Sequence, residues 1–339
     1  MTALDVRHCM LLKDAIAVGR TWLKAGGNPR LDIAALEPLM WRDGAHRIGD
    51  LVRAMTDLGF AVAVTTNGHL LSQHAKSLAD AGLSKLRVSW HTTNPVTFRQ
   101  ISATGDYASF LKGLARAQDV SLHVSFNRVL LRGHTDDLAD HVGTIDEMSG
   151  TLKLYDLLWT PESADQYRKY YINAIDATNA VLSSLSVSKI EDPAPIGRRR
   201  IRFGLPRGGV IEVKESEQLS RRSHPCATCT ARENCLEAFG DYVRVEPNMR
   251  MYFCYLRRDI GFDLRPILDR DDADGLHRQL DAATQAKGYD FLRHSRLRYI
   301  AVPACNFNCG FPATAISWCH KATGNFQFPS RLINVKPAA

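Results

Sequence analysis

The sequence predicts an α/β protein in which a parallel sheet is covered by helices, and two observations carry that reading. Apolar, β-rich runs alternate with amphipathic helical stretches through the first half of the chain. That is the pattern of βα units whose strands lie under their crossover helices. One more apolar run, at 297–302, returns near the end of the 339 residues, after a stretch in which the rhythm breaks. Composition agrees: 45% hydrophobic and 23% charged residues are ordinary for a soluble globular chain, long enough for one large domain or two ordinary ones.

Taken in order, the spacing predicts a helix over 11–25, stopped by Gly26 and Gly27. RLDIAAL (30–36) reads as the first strand. A helix over 46–58 puts Leu51, Met55 and Leu58 on one face, with Gly59 as its stop. FAVAVTTNG (60–68) is a strand ending in a turn. The alternation continues with helix 69–81, strand KLRVSW (85–90), helical residues 95–117, strand VSLHVSFNRVL (120–130), helix 134–147, strand LKLYDLLW (152–159) and helix 165–186. Five such units predict a (β/α) barrel or part of one; the run at 297–302 makes a sixth strand. Short strands and turns over 198–260 carry a cysteine group, and 272–288 is helical. The expected division is a first barrel part (1–190), a small cysteine-rich unit (191–270), and a linking helix with the returning strand (271–339).

Eight cysteines exceed what a core of this size needs: Cys9 alone, then Cys226, Cys229, Cys235 and Cys254, then Cys305, Cys309 and Cys319. Asp5, Arg7, Lys13, Asp14 and Arg20 interrupt any candidate secretory leader. No run of about 18 apolar residues offers a membrane span. The expectation is a cytoplasmic chain, where clustered thiols point to metal or catalysis rather than disulfides. Three thiolates on one loop can hold three irons of a [4Fe–4S] cube and leave the fourth open. The middle four can close a zinc site or a second cube. Spacing alone leaves zinc and iron both open. A net charge of +7 favours an anionic partner. The dense run GRRRIR (197–202) reads as a solvated strand edge, and without an aromatic-interleaved basic motif nucleic acid is not expected.

Several stretches together resemble the radical S-adenosylmethionine (SAM) enzymes. LRYIAVPACNFNC (297–309) resembles their first strand and cluster loop, and AALEPLMWRD (34–43) their TGGEPLLRxD segment. VTTNGHLL (64–71) is similar to the family's third strand and turn. KLRVSWHTTNPVTFRQISATGDYASFLKGL (85–114) and FNRVLLRGHTDDL (126–138) resemble later family segments. The family's cluster strand comes first; here it comes last, with every other element in order. The resemblance therefore implies a partial, TIM-like (β/α)6 barrel that is circularly permuted, its last strand tucked beside residues 30–36. New chain ends in a surface connection are physically tolerable.

The resemblance also implies cofactors and roles. SAM and two [4Fe–4S] clusters would be bound. Cys305, Cys309 and Cys319 would ligate the SAM cluster, with Cys9 the rival for third ligand, because the family's usual third position falls on Pro312. Glu37, followed by Pro38, would accept from the SAM ammonium, although Ala35 and Leu36 stand where the family has two glycines. Thr66, Asn67, Ser89 and Asn127 lie at strand carboxyl ends, where barrel sites assemble. The segments around the middle cysteines resemble the C-terminal part of the GTP 3′,8-cyclases of molybdenum-cofactor synthesis, and the C-x2-C-x5-C spacing resembles SPASM and twitch auxiliary domains. That implies a small auxiliary iron–sulfur domain held by Cys226, Cys229, Cys235 and Cys254. The cyclases' Arg-x-Arg pair is Tyr242 and Arg244 here, so their substrate is not carried over. Tyr252, Tyr255 and Arg257 flank Cys254 as candidates to meet substrate, whereas Arg132, Asp156, His91, His123 and His134 read as structural. The implied activity is reductive cleavage of SAM to a 5′-deoxyadenosyl radical, which abstracts hydrogen from a peptide, sugar, nucleoside or other small metabolite, with a flavodoxin- or ferredoxin-type electron donor. The reading from a different class is a zinc-stabilised basic binding protein without redox activity.

Overall fold

Twelve strands and eleven helices are laid out along the chain in a computed structural model that describes residues 9–300, apart from 35, 103–105, 161–162, 193–197, 220–225, 227–228, 231–234, 236–241, 255, 258 and 285–289. The strands are β1 (Arg30–Ile33), β2 (Ala61–Thr66), β3 (Lys85–Ser89), β4 (Val124–Val129), β5 (Thr151–Tyr155), β6 (Ser188–Asp192), β7 (Arg198–Gly204), β8 (Val210–Leu219), β9 (Tyr242–Val245), β10 (Arg250–Tyr252), β11 (Gly261–Asp263) and β12 (Arg296–Tyr299). The helices are α1 (Leu12–Lys24), α2 (Ile48–Asp57), α3 (Leu71–Asp80), α4 (Pro95–Ser102), α5 (Tyr107–Asp119), α6 (Leu138–Glu147), α7 (Ala164–Tyr170), α8 (Ala174–Leu182), α9 (Arg265–Leu268), α10 (Ala273–Thr284) and α11 (Phe291–His294). A two-residue ribbon, Arg42–Asp43 with His46–Arg47, stands apart.

All twelve strands share one sheet in the order β11-β10-β9-β12-β1-β2-β3-β4-β5-β8-β7-β6. From β9 to β8 every neighbouring pair is parallel; the strands outside that run are antiparallel. The six strands expected from the sequence are its centre, and β9 and β8 extend them on either side. The order runs from edge to edge, and among the described residues β11 and β6 do not pair. Strands from the cysteine-rich stretch join the same sheet as the βα units.

The returning strand pairs where the sequence places it. β12 lies beside β1 in parallel register, Leu31 opposite Leu297 and Ile33 opposite Tyr299, and on its other side Val243 of β9 faces Leu297. Tyr299 is fully buried and donates to the Ala15 carbonyl of α1 at 2.8 Å. α1 comes so close that a Cβ on Gly19 would meet Phe60 at 3.1 Å and the Tyr299 hydroxyl at 3.3 Å. Cys305, Cys309 and Cys319 lie outside the described residues.

Successive central strands step the same way across the sheet. With right-handed crossovers, that puts their helices on one face. Leu31, Ile33, Val62, Val64, Leu86, Val88, Leu152, Leu154 and Leu297 are buried in the core cluster. Each fully buried side chain of this kind contributes about 1.5–3 kcal/mol. The sequence suggests continuously apolar strands; in the structure they alternate, because the other face carries Asp32, Lys85, Arg87, Ser89, Asn127 and Lys153. Two long helical stretches each divide. Asp106 caps α5 by accepting from Ala108 N and Ser109 N, and Asn173 caps α8 through Ile175 N and Asp176 N; each cap starts a new helix by satisfying its first free amides. Among the described residues no helix is long and apolar enough to cross a membrane.

Candidate functional site

Beyond Ile33 the chain turns through Leu36 into a single 3-10 turn, Pro38–Met40. Pro38 opens that turn, where a fixed φ and a missing N–H suit the first helical position. Glu37, 7% exposed, ties the turn to the end of β2. Its Oε1 accepts from Thr66 Oγ1 at 2.6 Å and Leu39 N at 3.0 Å, and its Oε2 accepts from Asn67 N at 2.7 Å. Gly68 N donates to Thr66 Oγ1 and His69 N to Asn67 Oδ1, both at 3.0 Å. Burial pushes the Glu37 carboxyl up, and the three donors pull it back only part of the way. A carboxylate has about four acceptor sites. Three are used inside the protein, so Glu37 is first of all a brace, with one lone pair left for a ligand.

A cleft open to solvent lies beside this brace. Leu36, Thr65, Thr66, Asn67, His69, Ser89, His91 and Thr92 line one side, and Phe98, Ile101 and Ser102 of α4 the other. Thr66, Asn67 and Ser89 thus come together as expected. Asn127 is the register partner of Ser89 on β4, and its buried Oδ1 receives no hydrogen bond among the described residues. His91, read from the sequence as structural, is on the cleft wall. Its Nδ1 accepts from Val129 N at 3.2 Å, and burial together with the nearby Arg128 charge pushes its pKa down to about 4. Burial lowers His69 as well.

The cleft wall is latched from α6. Asp137 stands at the N-cap of that helix but makes no cap bond. Its Oδ2 instead accepts from Thr92 Oγ1 and Thr93 N, both at 2.6 Å, and from Thr93 Oγ1 at 3.1 Å. Its Oδ1 accepts from Arg128 Nη2 at 2.6 Å. Arg128 is fully buried and also meets His141 Nδ1 at 3.1 Å. Thr92 Oγ1 receives Asn94 N, and Asn94 Oδ1 receives Val96 N and Thr97 N at the start of α4. Burial would raise the Asp137 carboxyl, but Arg128, Thr92 and Thr93 outweigh it and hold it at about 2.

The face of the sheet opposite the apolar core is charged. Asp32 accepts from Arg87 at 2.9 Å and Arg298 at 3.2 Å. The Arg298 guanidinium lies 3.5 Å from the Tyr242 ring centroid, with Arg244 and Arg296 at 5.8 and 6.0 Å. Next to them, Lys153 donates to Glu212 at 2.8 Å, with Arg200 at 4.0 Å from the same carboxylate. Burial lowers Lys153 to about 8; Glu212 raises it, while Arg200 and Arg87 lower it further. Lys85 is lowered by burial and by Arg87, Arg296 and Arg202. Cations outnumber carboxylates here. The sequence signal for it is the alternation of K, R and D inside KLRVS, RLDI and RLRY, masked by their apolar partners.

Cys226, Cys229, Cys235 and Cys254 are half-buried and form no disulfide among the described residues. Burial pushes the Cys254 thiol up, and the proximity of Cys226 adds to it. Arg257 grips Asp259 at 2.7–2.8 Å and also bonds Cys229. Arg244 donates to the Phe253 carbonyl, next to Cys254, at 2.9 Å. Tyr252 is 1% exposed and opposite Arg244 in register; Tyr255 lies outside the described residues. Among the described residues no three His, Cys, Asp or Glu side chains are grouped to hold a metal.

Residues 21–145, which contain the Glu37 brace and most of the cleft, match the radical SAM superfamily. That segment, 125 of the 339 residues, is similar to the domain shared by the superfamily. A probable GTP 3′,8-cyclase of Methanothermobacter thermautotrophicus is similar to it, 29% identical over 276 residues, 80% of each chain. The GTP 3′,8-cyclase of Brucella abortus is 32% identical over 137 residues, so this chain spans 40% of that relative's length. Among solved structures, SuiB of Streptococcus suis bound to its precursor peptide SuiA aligns over 44% of this chain and 33% of SuiB at 18% identity, with a TM-score of 0.39. An archaeal TYW1 aligns over 49% and 53% at 14% identity, with a TM-score of 0.35. The chemistry of a radical SAM site fits what is present: polar groups at strand ends, an unbonded buried acceptor on Asn127, and sulfur donors.

Proposed function

We propose that this radical SAM protein cleaves SAM reductively and abstracts hydrogen from a small anionic metabolite, on a circularly permuted scaffold. One observation carries the reading: β12, which ends six residues before Cys305 in sequence, lies against β1, whose following turn holds Glu37. A cysteine loop leaving β12 would then start at the same carboxyl edge as the brace and the cleft. Cys305 and Cys309, with Cys319 or Cys9, would hold the SAM cluster, and Cys226, Cys229, Cys235 and Cys254 an auxiliary cluster. When bound, the cluster and SAM together supply a 5′-deoxyadenosyl radical able to attack an unactivated C–H bond. The protein's own part is to orient and enclose. Thr66, Asn67 and Glu37 hold the cleft floor. Ser89 and Asn127 offer polar contacts. Phe98 and Ile101 exclude water, which protects a reactive intermediate.

The charged sheet face supports the anionic substrate. Arg87, Arg298, Lys85 and Lys153 gather around Asp32 and Glu212, and an enclosed excess of one sign concentrates counter-charge. Arg296 and Arg298 also approach Tyr242, the position where the cyclases carry an arginine, so guanidinium groups are present there without one on residue 242.

Anaerobic reconstitution tests the reading. With dithionite and SAM the wild-type protein should form 5′-deoxyadenosine, and Cys309→Ala should form none. A colourless protein with stoichiometric zinc and no 5′-deoxyadenosine would replace this reading by the zinc-stabilised binding protein.

A further inference from the structure

Leu36 has φ of +54°, the left-handed region in which an L side chain is disfavoured and glycine is not. Its neighbours hold it there. On one side Ala34 N donates to the Tyr299 carbonyl at 3.1 Å. On the other, Glu37 is fixed by Thr66, Asn67 and Leu39. A glycine would meet the same backbone demand without strain, so the leucine side chain must be favourable somewhere else. Among the described residues it is neither part of the hydrophobic core nor one of the partly buried apolar residues packed against it. It lines the cleft, with Phe98 and Ile101 as the apolar members of the wall.

Backbone strain that the surrounding structure holds in place clusters at ligand-contacting walls. We propose that Leu36 is a specificity-determining residue. Its side chain forms, with Phe98 and Ile101, the apolar half of the cleft, and packs against the apolar part of an amphipathic occupant whose polar part meets Thr66, Asn67 and Ser89. This rests on the proposal that SAM is the occupant, but concerns a contact peculiar to this chain, because the side chain stands where a bare backbone would satisfy the turn.

The test is titration of the anaerobically reconstituted protein with SAM and, separately, with S-adenosylhomocysteine, for wild type, Leu36→Ala, Leu36→Gly and Leu36→Met. Leu36→Ala keeps the strained backbone and removes most of the side chain. Leu36→Gly removes both. Leu36→Met restores apolar bulk. Expected are Kd values raised about tenfold or more for Ala and Gly, the loss of a few buried methyl and methylene contacts, and within about threefold of wild type for Met. The melting temperature of Leu36→Gly should equal or exceed that of wild type, since it sheds strain. A purely structural leucine predicts the reverse: unchanged Kd in folded Ala and Gly variants, with a lowered melting temperature. That result overturns the proposal. Wild-type protein that binds neither probe overturns the SAM reading itself, and with it this contact.

Discussion

Asp32→Asn is the sharpest perturbation of the sheet. Asp32 is 3% exposed in its side chain, and Arg87 and Arg298 are 12% and 16% exposed in theirs. Burial by itself would raise the carboxyl, but Arg87, Arg298 and Arg296 outweigh it and bring it from 3.8 to about 2. A drop of that size is worth about 2.5 kcal/mol of folding stability. Removing one partner of a buried pair costs about 3–5 kcal/mol, because the remaining charge is left uncompensated. The two routes agree on about 3 kcal/mol. The native pKa is below the unfolded one, so this stabilisation is fully present above about pH 4 and is lost as pH falls through about 2. Urea unfolding followed by circular dichroism at pH 7 should show the Asp32→Asn midpoint lowered with an unchanged m-value. The gap to wild type should narrow below about pH 3. Arg87→Met should cost less in the Asp32→Asn background than alone, a coupling of about 1 kcal/mol or more. A loss below about 1 kcal/mol, or additive single and double variants, would refute the claim that Asp32 holds these guanidinium groups in the sheet.

Glu37→Gln leaves one carbonyl oxygen where three donors now converge on two, so a donor meets an amide nitrogen; a loss of about 1–3 kcal/mol should appear in chemical denaturation, with weaker SAM binding by equilibrium dialysis. Asp137→Asn should destabilise by about 3 kcal/mol, since Arg128 is buried and loses its counter-charge. The milder Thr92→Val should cost about 1 kcal/mol and speed amide exchange over 92–102, measured by mass spectrometry. Lys153 is held at about 8, so an inorganic polyphosphate entering the charged face at pH 8 should raise it and take up protons; calorimetry in buffers of different ionisation enthalpy checks the sign, and proton release would count against an anion site at that place.

What could be read from residues alone was what local chemistry dictates. Gly59 and Gly82 end helices at φ of +99° and +78°, so the strand starts after them were legible to within a residue or two. The strand end at Thr66 and the turn Asn67-Gly68 were legible for the same reason. The partner of the last strand was legible only through the resemblance, since periodicity shows that 296–299 is a strand but not where it docks. The charged face was missed because apolar and charged residues alternate in strands judged by their apolar members. The Asp137 latch joins residues 45 apart in sequence, and nothing local marks an N-cap carboxylate that bonds elsewhere. Leu36 itself does not signal a left-handed backbone, because glycine is the residue that normally does; only the resemblance, with glycine at that position, points to one.

β12 separates β1 from β9 in space yet follows β1 by some 266 positions, as the Asp32–Arg298 contact measures. During synthesis both of its neighbours must wait with open hydrogen-bonding edges until that strand emerges, a long-range closure that slows folding and invites association with other chains. Refolding should therefore be slow and strongly concentration-dependent, and a chain cut just before residue 296 should aggregate rather than fold into the remaining two halves.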